Sequence, residues 1–368
     1  MTKLHPLYYL VKNMKKKILS VLKYSVFLGI GVFLMWWQLS KMTELQRVQF
    51  VDSLRNANYI ILIPIFIMAI LSHLSRAVRW KILIEPMGYR PSTANTFYTT
   101  LCGYVANLFL PRAGEILRCT LLSRYEKIPF PKLVGTIIIE RLLDLFCYFL
   151  IIVITFLIQI KTVSDFIKEK VAAIAGQEQM LPAWAKITIL LLAIVLGYVL
   201  VKWIFKKYAH LAFIIKLKKL EHGLKEGALA IIHLKKRGAF LGHTVFIWAM
   251  YLLQVYLGFS ALSETSHLGM GAAFSVLSLS TLAMIIAPGG IGAFPVAVQQ
   301  VLLIYNVDNI SFGWLMWSVS TIIIIIVGII SFGLLIYQNN SKNEKKRYHQ
   351  RADFETGRSS GAGKTMEA

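Results

Sequence analysis

The chain has 368 residues, of which 57% are hydrophobic and 16% are charged. A soluble globular chain carries about 25% charged residues, so this composition excludes an ordinary soluble protein and predicts a membrane protein. The formal net charge is +22, which basic cytoplasmic loops explain better than a nucleic-acid partner does. No nucleic acid, metal ion or cofactor is expected.

Apolar runs recur along the chain and are long enough to cross a bilayer as helices, for which about 20 residues are needed. The runs are continuous rather than alternating, so they indicate helices and not a barrel. Six spans are predicted, at about 20–38, 59–79, 133–159, 184–204, 239–262 and 313–337. No small-residue cleavage site follows the first run, which is therefore interpreted as a retained membrane helix rather than a signal peptide.

Two further apolar stretches, 93–110 and 273–304, are interrupted. The segments around them alternate between strongly basic and nearly neutral, and the positive-inside rule then requires both stretches to enter and leave on one side. The first would do so on the cytoplasmic side and the second on the outer side. The predicted fold is an all-α, polytopic membrane helix bundle with about six spanning helices and two re-entrant hairpins in an inverted repeat. Two ordinary kinked spans, giving eight crossings, are the alternative.

The same charges predict the domain organisation. Residues 1–17 form a basic cytoplasmic tail, 18–338 the transmembrane domain, and 339–368 a polar tail expected to be disordered in the cytoplasm. Within the domain, 206–236 is expected to lie as an amphipathic segment on the anionic lipids of the inner leaflet. Both termini are therefore predicted to be cytoplasmic.

The stretch from Asn107 to Arg118 is predicted to end one helix and start another. Pro111 lacks an N–H group and disfavours helix at the residue before it, and Gly114 relaxes the next turn. Glu115 and Arg118 then share a helix face. The free N–H groups of the restarted helix suit an anion such as a lipid phosphate, although a charged cytoplasmic turn would use the same residues.

A second cluster, Glu140, Arg141 and Asp144, lies inside the predicted 133–159 span. Each ionisable group at membrane depth costs about 2.5–3.5 kcal/mol, so three of them need partners or water. Their net charge is −1, and Arg112 and Arg118 are the candidate cations. A polar transport cavity, a structural salt bridge and a catalytic carboxylate pair are the three interpretations.

A third cluster breaks the 273–304 stretch. Pro288, Gly289, Gly290 and Gly292 cannot form continuous helix. Non-helical backbone at membrane depth is tolerated only when it is buried in protein or lines a cavity. The cluster is not a phosphate-binding loop, because no Lys-Ser/Thr follows it and no strand precedes it.

A fourth set, His73, Arg76, Arg79 and Trp80, stands at the end of the second span. Arg76, Arg79 and Trp80 are favoured as anchors at the membrane interface. The alternative is contact with lipid headgroups, which adds Arg76 and Arg79 to the candidate headgroup-binding residues.

Together these motifs resemble the lysylphosphatidylglycerol synthase transmembrane-region family, also called the YbhN or UPF0104 family, over roughly residues 20–340. The residues that carry the resemblance occur in the order Arg79-Trp80, Asn107, Pro111-Arg112-Ala113-Gly114-Glu115, Arg118, Glu140-Arg141, Asp144 and Pro288-Gly289-Gly290-Ile291-Gly292. The resemblance implies a flippase-like region similar to the membrane half of the bacterial MprF proteins, which move aminoacylated phosphatidylglycerol between leaflets.

The sequence departs from that family after the glycine-rich break. Members often carry Arg-Glu there, whereas this chain has Phe294-Pro295, which removes an ionisable role at that place. The chain is also expected to lack the soluble aminoacyltransferase domain of the full-length synthases, so enzymatic activity is not the favoured expectation.

The function expected first is transport of a membrane phospholipid or lipid-linked substrate in the bacterial cytoplasmic membrane. A membrane-embedded transferase acting on a lipid or polyprenyl-phosphate donor is the second, with Glu115, Glu140 or Asp144 as base or as metal ligand. A non-catalytic partner of an envelope-lipid enzyme is the third. Homo-oligomer formation is left open.

Overall fold

A computed structural model of the protein describes residues 29, 31–110, 113–175 and 234–362. These residues form helices, turns and loops, with no strand among them. The predicted tail 1–17, the predicted span 184–204 and most of the amphipathic segment 206–236 lie outside the described residues. The chain divides into two units, one comprising the residues up to Ile137 and from Gly238 onward, the other Ile138–Arg237.

The first helix, α1, covers 31–40 and is followed by a short helix, α2, that a Thr43–Gln46 capping box begins. Three 3₁₀ turns, Tyr59–Ile61, Glu85–Met87 and Pro288–Gly290, lie between the later helices. The helices after α1 are α2 Glu44–Arg55, α3 Leu62–Ile84, α4 Thr93–Phe109, α5 Ala113–Glu126, α6 Phe130–Ala175, α7 Arg237–Phe259, α8 Met270–Ile286, α9 Ala293–Ile304 and α10 Ser311–Ala362.

Four stretches of the described chain are long and apolar enough to cross a membrane. They are Tyr59–Met87, Phe130–Gln159, Arg237–Phe259 and Ser311–Asn340, and they confirm four of the six predicted spans. The first predicted span is described only in part, as Gly29 and helix α1.

Two helical hairpins lie between the spans. Hairpin 1 consists of α4 and α5 (Thr93–Glu126), and hairpin 2 of α8 and α9 (Met270–Ile304). The predicted re-entrant stretch 93–110 corresponds to α4, and α5 supplies the returning limb, so hairpin 1 is longer than predicted. The restart of a helix directly after Pro111-Arg112 is confirmed, since α5 begins at Ala113.

The open ends of the two hairpins lie at opposite ends of the first unit. At hairpin 1, Asn95 donates to Glu126 at 2.6 Å and exchanges amide hydrogen bonds with Asn339, late in the spanning part of α10. Hairpin 2 leads directly into the start of α10 at Ser311. The hydrogen bond from Asn58 N to Ala261 O joins the start of α3 to the end of α7. Helices α3 and α10 therefore each run from one hairpin base to the other.

Each hairpin has its own apolar core. At hairpin 1 the core is centred on Trp80, Leu122 and Leu133. At hairpin 2 the core is larger and includes Phe259 and Phe312, whose rings are 5.0 Å apart. Helix α3 contributes its first half to the second core and its last turns to the first, so it joins the two.

Two helices continue beyond their predicted ends. Helix α10 extends to Ala362, which contradicts the prediction of a disordered tail from residue 339. Helix α6 extends to Ala175, past the predicted end of its span at 159. Neither extension contains Gly or Pro until Gly357 and Gly176 respectively, and Lys, Glu, Arg and Gln favour helix strongly.

The second unit is described for 138–175 and 234–237. Most of it is the part of α6 that follows Ile137. Large apolar side chains along this part of α6 are exposed, among them Phe146, Phe149 and Leu157. Such a surface suits contact with lipid tails.

Candidate functional site

The break in hairpin 1 is held by one side chain. Leu110 leaves the helix with an extended backbone, at φ −131° and ψ 112°. The Asn107 Oδ1 atom accepts a hydrogen bond of 2.8 Å from the backbone N–H of Gly114, in the first turn of α5. Asn107 therefore satisfies one of the N–H groups that a helix start leaves open. Pro111 and Arg112 lie outside the described residues.

The limbs of hairpin 1 approach each other most closely at two glycines. A Cβ atom added to Gly103 would lie 2.7 Å from the carbonyl oxygen of Gly114. A Cβ atom added to Gly114 would overlap the carbonyl oxygen of Gly103 and come within 2.7 Å of the Asn107 side chain. Only glycine fits at this crossing, so Gly114, predicted as a helix breaker, also serves the packing of the hairpin.

Backbone conformation, rather than a side-chain cap, breaks hairpin 2. Gly289, Gly290 and Gly292 have φ values of 59°, 68° and 69°, a region that other residues adopt at a cost. Trp317 of α10 donates a 2.9 Å hydrogen bond from Nε1 to the Gly289 carbonyl oxygen. Gly292 packs against α1, where an added Cβ would lie 2.8 Å from Leu34 Cβ.

The two broken tips contact each other. A Cβ atom on Gly289 would lie 3.0 Å from Leu108 Cδ2 and 3.4 Å from Leu108 Cα. Helix α10 passes both hairpins, since Gly328 packs on Leu101 and Val105 of α4. Two hairpins that start at opposite ends of the unit therefore meet inside it.

Arg118 is buried beside this crossing. It is 4% exposed, and its guanidinium carbon lies 4.5 Å from the centre of the Trp80 ring, which is a cation–π distance. Trp80 in turn donates from Nε1 to Thr136 Oγ1 at 2.8 Å. Glu115, predicted to share a face with Arg118, is half-buried one turn earlier on α5.

Helix α3 carries a row of buried polar side chains. His73 is 9% exposed, Arg76 8% and Arg79 0%. The prediction that Arg76, Arg79 and Trp80 are interface anchors is wrong, because anchors keep their polar ends in water and these side chains are covered by neighbouring helices. As candidate headgroup-binding residues, Arg76 and Arg79 stay predictions.

The buried row contacts helix α7. Arg79 Nη1 lies 3.3 Å from Thr244 Oγ1, and Arg76 Nη2 lies 3.4 Å from the Tyr251 hydroxyl. Ser75 Oγ and His243 Nδ1 are 2.8 Å apart. The α3–α7 interface is therefore polar from His243 to Tyr251 of α7, inside two helices that are long enough to span a membrane.

Glu140, Arg141 and Asp144 belong to the second unit. Glu140 is fully buried, Asp144 is half-buried one turn later, and Arg141 is exposed. Asp144 is one turn from both Glu140 and Arg141, at the i,i+4 and i,i+3 spacings that make helix side chains neighbours. A shared cavity of this set with Arg112, Glu115 and Arg118 stays a prediction.

The place where the resembled family carries Arg-Glu is filled by packing. Phe294 and Pro295 stand in the first turn of α9, where a proline costs no hydrogen bond. Pro295 is buried, and Gly313 of α10 approaches so closely that an added Cβ would lie 3.0 Å from Pro295 Cα.

Several buried polar contacts were not predicted from the sequence. Asn95 pairs with Asn339, and Gln38 bonds to both Gln299 and Trp314 at 3.0 Å. Isolated amides inside apolar helices were the available signal, but it does not name the partner. Within the described residues no group of three or more His, Cys, Asp or Glu side chains could hold a metal ion.

Comparison with known proteins places these features in a family. The sequence model of the lysylphosphatidylglycerol synthase TM region matches residues 21–336. A UPF0104 membrane protein of Methanocaldococcus jannaschii is 29% identical over 153 residues, which is 40% of this chain and 42% of that relative. The matched segment thus spans less than half the length of the relative. No solved structure matches.

Proposed function

Because the chain belongs to the lysylphosphatidylglycerol synthase TM-region family, we propose that it moves a lipid or lipid-linked molecule across the membrane that holds it. The observation that carries this proposal is the contact of the two broken hairpins, Leu108 against Gly289. Inverted repeats whose broken helices meet inside the bundle are a recurring transporter design. Movement at the tip contact would connect the interior to one hairpin base and then to the other.

Buried polar groups near the tips support the same proposal. Arg118 is held on Trp80, and Asn107 stands at the break itself. Ionisable side chains at membrane depth are costly and commonly mark a substrate path. The headgroup would pass along these side chains while its acyl chains stay in the lipid.

The proposal includes an orientation. The base of hairpin 1 faces the cytoplasm of a bacterial cell, as do both termini, and the base of hairpin 2 faces outward. The basic segment 202–238 and the basic residues at the base of hairpin 1, Arg90, Lys127 and Lys132, favour this orientation. With native cysteines replaced, an impermeant thiol reagent added to intact cells should label Glu264→Cys and not Lys235→Cys. Labelling at position 235 would overturn the orientation.

The central experiment locks the tips together. In a chain whose three native cysteines are replaced by alanine, Leu108→Cys and Gly289→Cys place two thiols within reach of a disulfide. The purified protein is reconstituted in sealed vesicles containing fluorescent phospholipid analogues of several headgroups. Translocation is then measured under oxidising and reducing conditions, with each single cysteine variant as a control for the substitution.

We expect the reduced double variant to translocate at least one lipid, oxidation to arrest it, and reductant to restore it. Equal rates in both states would show that the tips need not separate. Absence of translocation by the unmodified chain for every lipid would overturn the proposal. Turnover of a lipid donor in detergent would favour a transferase, since translocation needs a sealed bilayer and group transfer does not.

A further inference from the structure

We propose that the buried row on α3 is a binding site for a phosphate group, with Arg76 and His73 as its principal contacts and Arg79 nearer the base of hairpin 1. That the phosphate belongs to the transported lipid rests on the proposed function. The site itself is inferred from burial, spacing and polar contacts on α3 and α7.

The spacing makes the row continuous. His73, Arg76 and Arg79 follow one another at three-residue intervals, so each side chain neighbours the next along the helix. From His73 to Arg79 the helix rises about 9 Å, at 1.5 Å per residue. His73 lies at the centre of the 23-residue helix α3. The row therefore leads from near the hairpin 1 base to the middle of a span.

The contacts that α7 offers to the row are neutral hydroxyls at long distances. Thr244 lies 3.3 Å from Arg79 and the Tyr251 hydroxyl 3.4 Å from Arg76, beyond the usual N–H···O range of 2.7–3.2 Å. A guanidinium has five donors in a fixed fork that matches the oxygens of a phosphate. A phosphate beside Arg76 would form charge-assisted hydrogen bonds, which are shorter and stronger than bonds to neutral hydroxyls.

His73 provides an independent sign of a ligand. Its Nδ1 atom is buried and has no hydrogen-bond partner among the residues that the structure describes. Buried polar atoms are nearly always paired, so we expect the hydrogen-bond partner of this nitrogen to be a group other than the described residues. The His73 ring lies 5.0 Å from the Tyr104 ring, so it packs against α4, and Arg76 is the next residue of the row on α3.

The border of the row is partly open. Tyr104, Trp248 and Tyr251 are half-buried, so the row lies against side chains that still have accessible surface. Aromatic side chains with polar ends suit the boundary between acyl chains and a headgroup. A phosphate on a lipid fits this mixture better than free phosphate does, and the probes below separate the two.

Binding is measured in dodecyl maltoside micelles, which contain no phosphate, by thermophoresis of the full chain. The probes are dioctanoyl phosphatidic acid, dioctanoylglycerol and inorganic phosphate. The variants are Arg76→Gln and His73→Phe, which keeps an aromatic ring against Tyr104 but has no nitrogen. Arg124→Gln is the matched control, because Arg124 is an exposed arginine on hairpin 1.

We expect phosphatidic acid to bind at least tenfold more tightly than dioctanoylglycerol or inorganic phosphate. Arg76→Gln should weaken its binding about tenfold or more, because a charge-assisted fork is lost. His73→Phe should weaken it several-fold, and Arg124→Gln should leave it unchanged. If Arg76→Gln lowers the melting temperature, the affinity of His73→Phe decides the outcome.

Equal binding of phosphatidic acid and dioctanoylglycerol would overturn the phosphate site, as would unchanged affinity in His73→Phe. Inorganic phosphate binding as tightly as phosphatidic acid would overturn the lipid headgroup as the ligand. Translocation by a chain that does not bind phosphatidic acid would overturn this inference and leave the proposed function standing. Binding of phosphatidic acid by a chain that translocates no lipid would overturn the proposed function and leave the phosphate site standing.

Discussion

Hairpin 1 and hairpin 2 make the same turn inside the bundle by different chemistry. Their first limbs, α4 and α8, each have 17 residues, and their tips touch at Leu108 and Gly289. In hairpin 1 an asparagine side chain holds the break. In hairpin 2 three glycines with positive φ make it, and their backbone is packed against α1 and bonded by Trp317.

The limbs of the two hairpins also differ, in the polarity of their buried side chains. The buried side chains of hairpin 1 include an arginine and several polar groups, Asn95, Thr96, Thr99, Thr100 and Arg118. Those of hairpin 2 are apolar except for Ser280. In the proposed function, hairpin 1 would present polar side chains to the substrate and hairpin 2 would supply a close-packed apolar counterpart.

The largest effect is expected at the crossing of α4 and α5. Gly114→Ala would drive a methyl group into the Gly103 carbonyl and the Asn107 side chain. Because both limbs are packed backbone to backbone, we expect a loss of about 3 kcal/mol or more in the free energy of unfolding. The measurement is an SDS titration of the purified protein.

Gly135→Ala is the matched control. It also replaces a helical glycine, but an added Cβ meets no described atom within 4 Å. We expect this variant to gain about 0.5–1 kcal/mol, because alanine favours helix over glycine. Similar losses in both variants would mean that the Gly103–Gly114 contact does not hold hairpin 1.

The second effect separates strain from crowding in hairpin 2. Gly292→Ala forces a side chain into positive φ, which costs about 1–2 kcal/mol, and also against Leu34 at 2.8 Å. Gly88→Ala imposes positive φ alone, since φ there is 87° and no described atom lies within 4 Å. The difference between the two losses should be about 1–3 kcal/mol. Equal losses of stability in the two variants would mean that the close contact between hairpin 2 and α1 does not stabilise the protein.

The third effect tests the side-chain cap. Asn107→Ala removes the acceptor for Gly114 N and should cost about 1 kcal/mol. Asn309→Ala is the control, since Asn309 Oδ1 accepts from Phe312 N at the start of α10, away from the tips. We expect similar losses of stability but slower lipid translocation only in Asn107→Ala. Equal translocation by the two variants would contradict a role for Asn107 beyond capping.

The breaks were predictable because their cause is local. Proline and glycine limit or widen the backbone conformations of their own positions, so Pro111 and the 289–292 glycines mark them without knowledge of the fold. The returning limb α5 was not recognised as part of the hairpin, since Glu115, Arg118 and Arg124 make it look like a cytoplasmic loop. Its burial comes from Trp80 of another helix, which hydropathy along the chain does not encode.

The partners of the buried polar side chains could not be predicted, because the paired residues are distant in sequence. Asn95 and Asn339 are 244 positions apart, and nothing near either residue names the other. Arg79 stands where an anchor is expected at a span end, yet its burial depends on which face α7 covers. Sequence therefore predicted which residues are costly in a membrane, and only the packing of α3 with α7 showed how they are accommodated.

The smallest effect concerns the loop that leads into hairpin 2. Burial alone would raise the pKa of Glu264, but hydrogen bonds from Ser53 at 2.5 Å, from its own backbone N–H and from Ser263 bring that pKa below its usual value. A carboxyl with a lowered folded-state pKa stabilises the fold above the unfolded pKa of about 4.3. That stability is lost as the pH falls through the folded pKa.

Ser53→Ala should therefore cost less than about 1 kcal/mol at pH 7, because solvent screens this exposed carboxylate. The gap to the unmodified chain should narrow at pH 3, as measured by SDS titration at both values. Glu264→Gln should make the cost of Ser53→Ala independent of pH. A gap that stays constant between pH 7 and pH 3 in the chain with Glu264 would show that the hydrogen bond does not depend on the charge of this carboxylate.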